Sequence, residues 1–489
     1  MKEKEKADGS EAELRSSSDA SEDLAMYEDD KARSTARQTR NVLEEPHEEV
    51  EEVSVLEALA ATGVRSVRYA LEVPAVSRVV ANDFTREAYN NMCRNIAHNR
   101  VESKVTPSCR EASMLMYEHR DPLKQFTVID IDPYGSPSVF LDSAVQAVSE
   151  GGVLCITCTD TSVLCGVYPE TCYSKYGSVS LRLKCGHEMG IRIFLSSLET
   201  HANRYKRYIV PLLSSCIDFY IRVFVQVFTS PSQVKRSLSK RSMIYACSGC
   251  DSHHLQLLGK RLEVGASKKY PAASGPPVDR TCAECGSTFK LGGPIWSEPT
   301  NDVGFVRSLL EELETHKQDY EHAARVRGLL AVVSEELPDV PLHYTLDQIC
   351  NTLHCTMPNM LALRSAFMEQ GYRISISHTH ANALKTDAPN SVLWDIMRCW
   401  VKMKPVKVKP TSPAAVILSK EPKIEASFSV RKDANPPSRI QKLARFPENP
   451  EPNWGPKARA KRKAGTAAED DQSECEGSKR SKIQDENTE

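Results

Sequence analysis

Between residues 53 and 240, short apolar runs alternate with stretches of helical periodicity, and that alternation leaves the chain few folds to choose from. "VSVLEAL" (53–59) reads as a strand and runs into "AATGVRSVRYALEV", where apolar residues recur at helical spacing. "VSRVVAND" (76–83), "SKVTPSC", "FTVIDID" and "GGVLCITCTD" (151–160) read as further strands. "TREAYNNMCRNIAHN" and "EASMLMYEHR" read as helices between them. Strands interleaved with helices predict an α/β fold whose parallel sheet is covered on both faces. "FYIRVFVQVF" (219–228) alternates cleanly and predicts a late strand, antiparallel at or near the sheet edge.

The flanks have a different composition. Residues 1–52 are acidic and polar ("SSSDASED", "EEPHEEVEE") and predict a disordered acidic N-terminus. Two C-x₂-C pairs define a zinc-binding region over 241–300, and residues 301–400 are mostly helical in pattern. A Pro-rich stretch then leads into a basic tail, expected to be disordered over 431–489, that includes "PKARAKRK". The formal net charge is −2, so the total says little about partners while its distribution does. The basic stretch reads as a nuclear import signal or an RNA-binding arm. No apolar run approaches the roughly 18 residues of a membrane span, and the N-terminus has no apolar signal core, so no membrane partner is expected. The 16 cysteines are scattered, which favours thiols and metal ligands over a disulfide framework.

Candidate site residues cluster at the expected strand ends. Gly63 sits where the first strand turns into a helix, and Asp83 closes the second strand 20 residues later. A carboxylate there can accept both hydroxyls of a ribose. There is no G-x-G-x-x-G, so the pyrophosphate cradle of a dinucleotide site is missing. A nucleoside-type cofactor without phosphates fits better, and S-adenosylmethionine meets that description. Glu111 and Ala112 follow the third strand, where Glu111 could accept from an adenine amino group and the Ala112 N–H could donate to the ring. Glu111 reads equally well as an acid favoured at a helix start.

The fourth strand ends in "DPYG". Asp132 offers a carboxylate, and Pro133 lacks an N–H, so the neighbourhood is rich in acceptors. An exocyclic amine on a nucleobase is a poor nucleophile because its lone pair is delocalised into the ring. Acceptors that hold its protons favour a pyramidal nitrogen, and a carboxylate can take the proton as a methyl group arrives. Tyr134 can stack on the flat base, a contact worth roughly 1–3 kcal/mol. The plainer reading is a strand-ending turn with an Asx-type cap. Cys247, Cys250, Cys282 and Cys285 form two knuckles 31 residues apart that can close four thiolates around one structural zinc, with His253 and His254 as substitutes. "TCYSKYGSVSLRLKCGHEM" (171–189) and "NRYKRYIV" (203–210) interleave aromatic and basic residues, as an RNA surface or a solvated helix face would.

Taken together, "LEALAATGVRSVRYALE", "VVANDF", "VIDIDPYGSPSVFLDSAVQAVSEGGVLCITCTDT", "ETCYSKYG", "GGPIWSEP", "ELPDVPLHYTLDQI", "KTDAP" and "NWGP" make the chain resemble the eukaryotic tRNA (guanine(26)-N2)-dimethyltransferases. The resemblance implies a Rossmann-like class I methyltransferase sheet over 53–240, the zinc-knuckle region, and a family-specific mixed α/β C-terminal domain over 301–430. It implies tRNA as partner, S-adenosylmethionine on Arg65, Asp83, Glu111 and Ala112, the target amine at Asp132 and Pro133, a stacking aromatic at Tyr134, and zinc on the four cysteines. Glu111 stands where the family more usually has Asp. Residues 1–52 lack the family's F-Y-N-P and N-R-D segment, and the chain ends without the CCCH finger that vertebrate members often carry. A shortened, catalytically impaired tRNA-binding form is therefore one alternative, and an N6-adenine methyltransferase is the other. The expected compartment is the nucleus, with cytoplasm and mitochondrion as further options.

Overall fold

The computed structural model describes residues 52–265 and 267–446. Five strands lie parallel: β1 (Val53–Glu57), β2 (Val76–Asp83), β3 (Val105–Cys109), β4 (Phe126–Ile131) and β5 (Val148–Cys158). An antiparallel pair, β6 (Arg207–Ile217) and β7 (Tyr220–Thr229), extends the sheet beyond β5, giving the order β3-β2-β1-β4-β5-β7-β6. The late strand read from "FYIRVFVQVF" is β7, one place in from the edge, as its alternation predicts. The chain leaves β1 in one direction and returns to lay β4 on its other side, so the switch point lies between β1 and β4.

Period-two alternation splits the strands' side chains between two cores. Val55, Val76, Val79 and Ala81 pack beneath the helices α1 (Val64–Glu72) and α2 (Arg86–Asn99), with Val67, Met92 and Ile96. Leu56, Ile129, Leu154 and Ile156 face the other way. They pack against α3 (Ala112–Glu118), α4 (Leu141–Ala147) and the helix Gly186–Asn203. A doubly covered sheet of this kind bears out the α/β expectation.

The region expected over 241–300 divides its apolar residues between two cores. Ile244, Ala246, Ile295 and Trp296 join the core of the large sheet, through β8 (Arg241–Cys247), which pairs with Phe289–Trp296. The four cysteines join a second core built from Leu346, Phe367, Trp394 and Met397 of the C-terminal region. That region carries a small sheet (Tyr344–Thr345, His380–Thr386, Ile374–Ser377) among helices, the expected mixed α/β pattern. The boundary drawn at 430 needs correction. Ala434 and Ser438 are buried, and Ser438 donates from its backbone and hydroxyl to Glu335 at 2.6 and 2.7 Å, so packed chain continues past it. The expected N-terminal segment and most of the expected tail lie outside the described residues.

Candidate active site

The loops after β1, β2 and β3 are tied side by side. Ala58 N donates to Asp130 O at 2.9 Å and Ala60 N to Asn82 O at 2.6 Å, which pulls the turn after β1 between its neighbours. Gly63 ends that turn with φ +73°, and a Cβ there would stand 2.8 Å from Met92 Cγ. A larger residue would meet both backbone strain and the α2 helix. Buried Asn82 donates to Ala58 O and Arg110 O, both at 3.0 Å, and accepts from Arg110 N at 3.1 Å. Glu57, at the end of β1, accepts from Ser66 N at 2.9 Å and from the Ser66 hydroxyl, anchoring the first turn of α1. Burial pushes its carboxyl up to about 7.

On this frame Asp83 accepts from Ala61 N at 3.1 Å, and from Thr85 N and Oγ1 at 3.0 Å. Glu111 caps α3, accepting from Ser113 N at 2.9 Å and Met114 N at 2.7 Å. These contacts are those of an acid at a helix start, one of the two readings of Glu111. Burial works against its charge, but the two N–H donors hold its carboxyl below the ordinary range. Ala112 is buried at the first position of the helix, among the N–H groups without an intrahelical acceptor. Phe84 and Met114, next to Asp83 and in the first turn of α3, are exposed apolar side chains.

Asp132 follows β4 and is partly exposed, and Pro133 behind it is buried. The Arg65 Nη2 donates to Asp132 Oδ2, while Nη1 donates to both oxygens of Asp130 at 3.0 and 2.9 Å. Asp130 is fully buried and also accepts from Tyr69 Oη at 2.6 Å and Arg222 Nη2 at 2.9 Å. Burial raises its pKa, but Arg222 and Arg65 outweigh that and hold it below the carboxylate norm. Buried Asp130, with the partly buried Arg222 and Tyr69 on it, thus fixes the Arg65 guanidinium that touches Asp132. Sequence reading missed Asp130, Arg222, Tyr69, Glu57 and Asn82. The signals were present: "IDID" puts two acids on one strand face, and Arg222 is a lone cation in an otherwise apolar strand.

The loop after Asp132 is pinned to the end of β5. Gly135 N donates to Thr159 Oγ1 at 2.6 Å, and Thr159 N donates to Gly135 O at 3.0 Å. Ser136 Oγ lies 2.7 Å from the hydroxyl of Tyr176, which in turn donates to both Asp160 oxygens at 2.9 Å. Tyr176 closes the helix Pro169–Tyr176, so the "ETCYSKYG" block holds the loop after Asp132 through Ser136. Tyr134, at the loop's tip, is fully exposed and makes no ring contact with the described residues.

Cys247, Cys250, Cys282 and Cys285 come together, all four sulfurs lying within 4.8 Å of one another and buried. Cys247 Sγ lies 3.2 Å from Cys285 Sγ, and Cys250 Sγ 3.8 Å from Cys282 Sγ. A tetrahedron of thiolates with bonds of about 2.3 Å to zinc has edges near 3.8 Å, so the donor set fits that ion. His253 and His254 are not in the cluster: His253 stacks on Tyr344 with centroids 4.4 Å apart, and His254 meets Asn390 at 3.3 Å.

The model of the family described as N2,N2-dimethylguanosine tRNA methyltransferase matches residues 29–398. The chain belongs to this family. It is 53% identical over 424 residues to the human tRNA (guanine(26)-N(2))-dimethyltransferase, covering 86% of this chain and 64% of that one. The Drosophila melanogaster protein of the same name is 49% identical over 416 residues, covering 83% of this chain and 72% of that one. The chain therefore spans a little under two thirds of the human relative. Among solved structures, the complex of Trm1 from Pyrococcus horikoshii with S-adenosyl-L-methionine matches with a TM-score of 0.59 and 30% identity, covering 69% of this chain and 86% of that one. The family membership bears out the resemblance read from the sequence, and the methyltransferase-like sheet is the scaffold shared with Trm1.

Proposed function

We propose that this chain methylates the exocyclic N2 amine of the guanine at position 26 of tRNA, once and then a second time, using S-adenosylmethionine. The observation that carries the reading is Asp132. It is a partly exposed carboxylate at the tip of β4, beside the β1–β4 switch point, with Arg65 on one oxygen. Family membership supports the substrate, and the likeness to the S-adenosylmethionine complex of Trm1 supports the cofactor.

Asp83 would hold the ribose hydroxyls of the cofactor, and Glu111 and Ala112 would meet the adenine edge. The exposed Phe84 and Met114 beside them suit a flat apolar ring. S-adenosylmethionine supplies an electrophilic methyl group and leaves as a neutral thioether. The Asp132 oxygen not held by Arg65 accepts an N–H of the guanine amine, which turns the nitrogen lone pair toward the methyl. Asp132 then takes the proton that the alkylated nitrogen loses. The buried Pro133 stiffens this end of the strand, and Tyr134 is free to stack on the base. Arg65 acts by orienting Asp132. The four cysteines would hold a zinc ion that organises the fold and takes no part in the chemistry. The nuclear location remains our reading of the basic stretch at 456–463, which lies outside the described residues.

The test is to incubate the full chain with labelled S-adenosylmethionine and unmodified tRNA, then digest to nucleosides. Labelled N2-methyl- and N2,N2-dimethylguanosine are expected, and Asp132→Ala should lower turnover by 10²-fold or more while tRNA binding persists. Label in methyladenosine, or near-normal turnover by the variant, would overturn the assignment.

A further inference from the structure

The helix Asn390–Met403 rests on the cysteine cluster. Trp394 Nε1 donates to Ser252 Oγ at 2.8 Å, and Arg398 donates to Glu284 at 2.8 Å. Beyond this helix residues 404–410, "KPVKVKP", run without helix or strand. Pro405 and Pro410 bracket the run, and each biases its preceding residue away from the helical region. Val406 and Val408 are half-buried against the C-terminal core, while Lys407 and Lys409 between and after them are exposed. The pattern is that of a strand with one face in and one face out, yet it pairs with no described strand. Lys407 and Lys409 have no carboxylate partner among the described residues. Lys404 lies over the Trp400 ring at 4.6 Å, and Lys402 meets Glu421 at 2.5 Å.

The Cα atoms of two lysines two residues apart stand at most about 7 Å from each other, and both side chains are exposed. The half-buried Val406 and Val408 on either side of Lys407 anchor the backbone from which the two exposed lysines project, so the charges stand on a packed ridge. A pair of exposed ammonium groups without carboxylate partners fits the phosphate backbone of a nucleic acid, which presents anions at regular spacing and no other demand.

We infer that the 404–410 ridge, which packs on the C-terminal core, is a phosphate-backbone clamp that grips tRNA. The inference rests on tRNA being the substrate, and it assigns to the C-terminal region a role in affinity rather than chemistry. The cysteine cluster then gains a second consequence, since it anchors the helix from which the ridge departs.

The test uses the full chain, wild type against Lys407→Ala/Lys409→Ala, with unmodified tRNA titrated between 50 and 200 mM salt. Removing two phosphate contacts should weaken tRNA binding on the order of tenfold and make the plot of log affinity against log salt shallower by about 1.5. Turnover at saturating tRNA, S-adenosylmethionine affinity and thermal midpoint should stay at the wild-type level, and Lys407→Arg/Lys409→Arg should restore binding. An unchanged affinity and slope would overturn the clamp while leaving the methylation reading intact. Failure of the wild type itself to bind or methylate tRNA would sink the functional reading instead. Binding to phosphatidylserine vesicles that the double variant loses, with RNA affinity unaltered, would assign the ridge to a membrane and also overturn it.

Discussion

Asp130 lies in β4 and Asp132 just past its end, and their surroundings give them separate tasks. Asp130 is sealed in with three donors from two elements, Arg65 and Tyr69 of α1 and Arg222 of β7, so it is a charge that fixes other charges. Asp132 keeps exposure and one oxygen outside the Arg65 contact. Replacing Asp130 with Asn should leave Arg65 and Arg222 short of an anion. Turnover is expected to fall at least tenfold while S-adenosylmethionine affinity, measured by calorimetry, changes little. Glu57 gives a prediction in pH. Its folded pKa near 7 lies above the unfolded value of 4.5, so the folded state holds the proton more tightly. That contribution to stability is full below about pH 4.5 and is lost as pH rises through 7. Glu57→Gln keeps the neutral shape. Thermal melts should show the wild type losing up to about 3 kcal/mol relative to this variant across that window.

The elements that position the site are short, and each end is fixed by a specific contact. The turn between β1 and α1 depends on one glycine. Gly63→Ala should destabilise the protein by about 1–3 kcal/mol, through the positive φ and the contact with Met92, and should weaken cofactor binding. The helix Pro169–Tyr176 contributes through a single hydroxyl. Tyr176→Phe removes the link from Ser136 to Asp160 and leaves a mostly buried carboxylate short of a donor. Stability should fall by about 1–3 kcal/mol. The looser Pro133–Gly135 loop should lower kcat more than it raises KM for tRNA. Equal losses from Tyr176→Phe and Ser136→Ala, with no further loss in the double variant, would show that the two act as one unit.

At the scale of the whole molecule, the large sheet and the C-terminal region are joined by buried charge as well as apolar packing. Lys385 bridges Glu188 at 3.0 Å and Glu336 at 3.3 Å, and Glu188 also receives His343 Nδ1 at 2.8 Å and Arg192 Nε at 3.0 Å. Cys216 N of β6 donates to His378 Nε2 at 3.2 Å, while the other ring nitrogen meets Glu336 at 2.6 Å. Burial disfavours the Glu336 charge, but His378 and Lys385 draw its pKa down to about 2. Lys385→Met should cost about 3–5 kcal/mol, read from denaturant unfolding, because two carboxylates lose a shared cation. Zinc chelation should lower the melting temperature and loosen the Trp394 environment before S-adenosylmethionine binding changes. The sequence by itself determined the order and kind of β1 to β5, α1 to α3 and β7, because apolar periodicity is local and the strand-ending Asp-Pro and turn Gly mark their own boundaries; it did not show β6, whose start reads as a basic-aromatic stretch. It also determined the four-cysteine set, since thiol spacing is written in the chain. It left Glu111 between two readings, and the tertiary structure added that its carboxylate caps α3. Only the tertiary structure decided that Arg222 meets Asp130 across 92 residues, that Tyr176 holds Ser136 across 40, and that His378 reaches Cys216 across 162. Those contacts carry no local signal, because a buried polar group's partner is chosen by which elements the core brings together and by the cost of leaving that group unpaired.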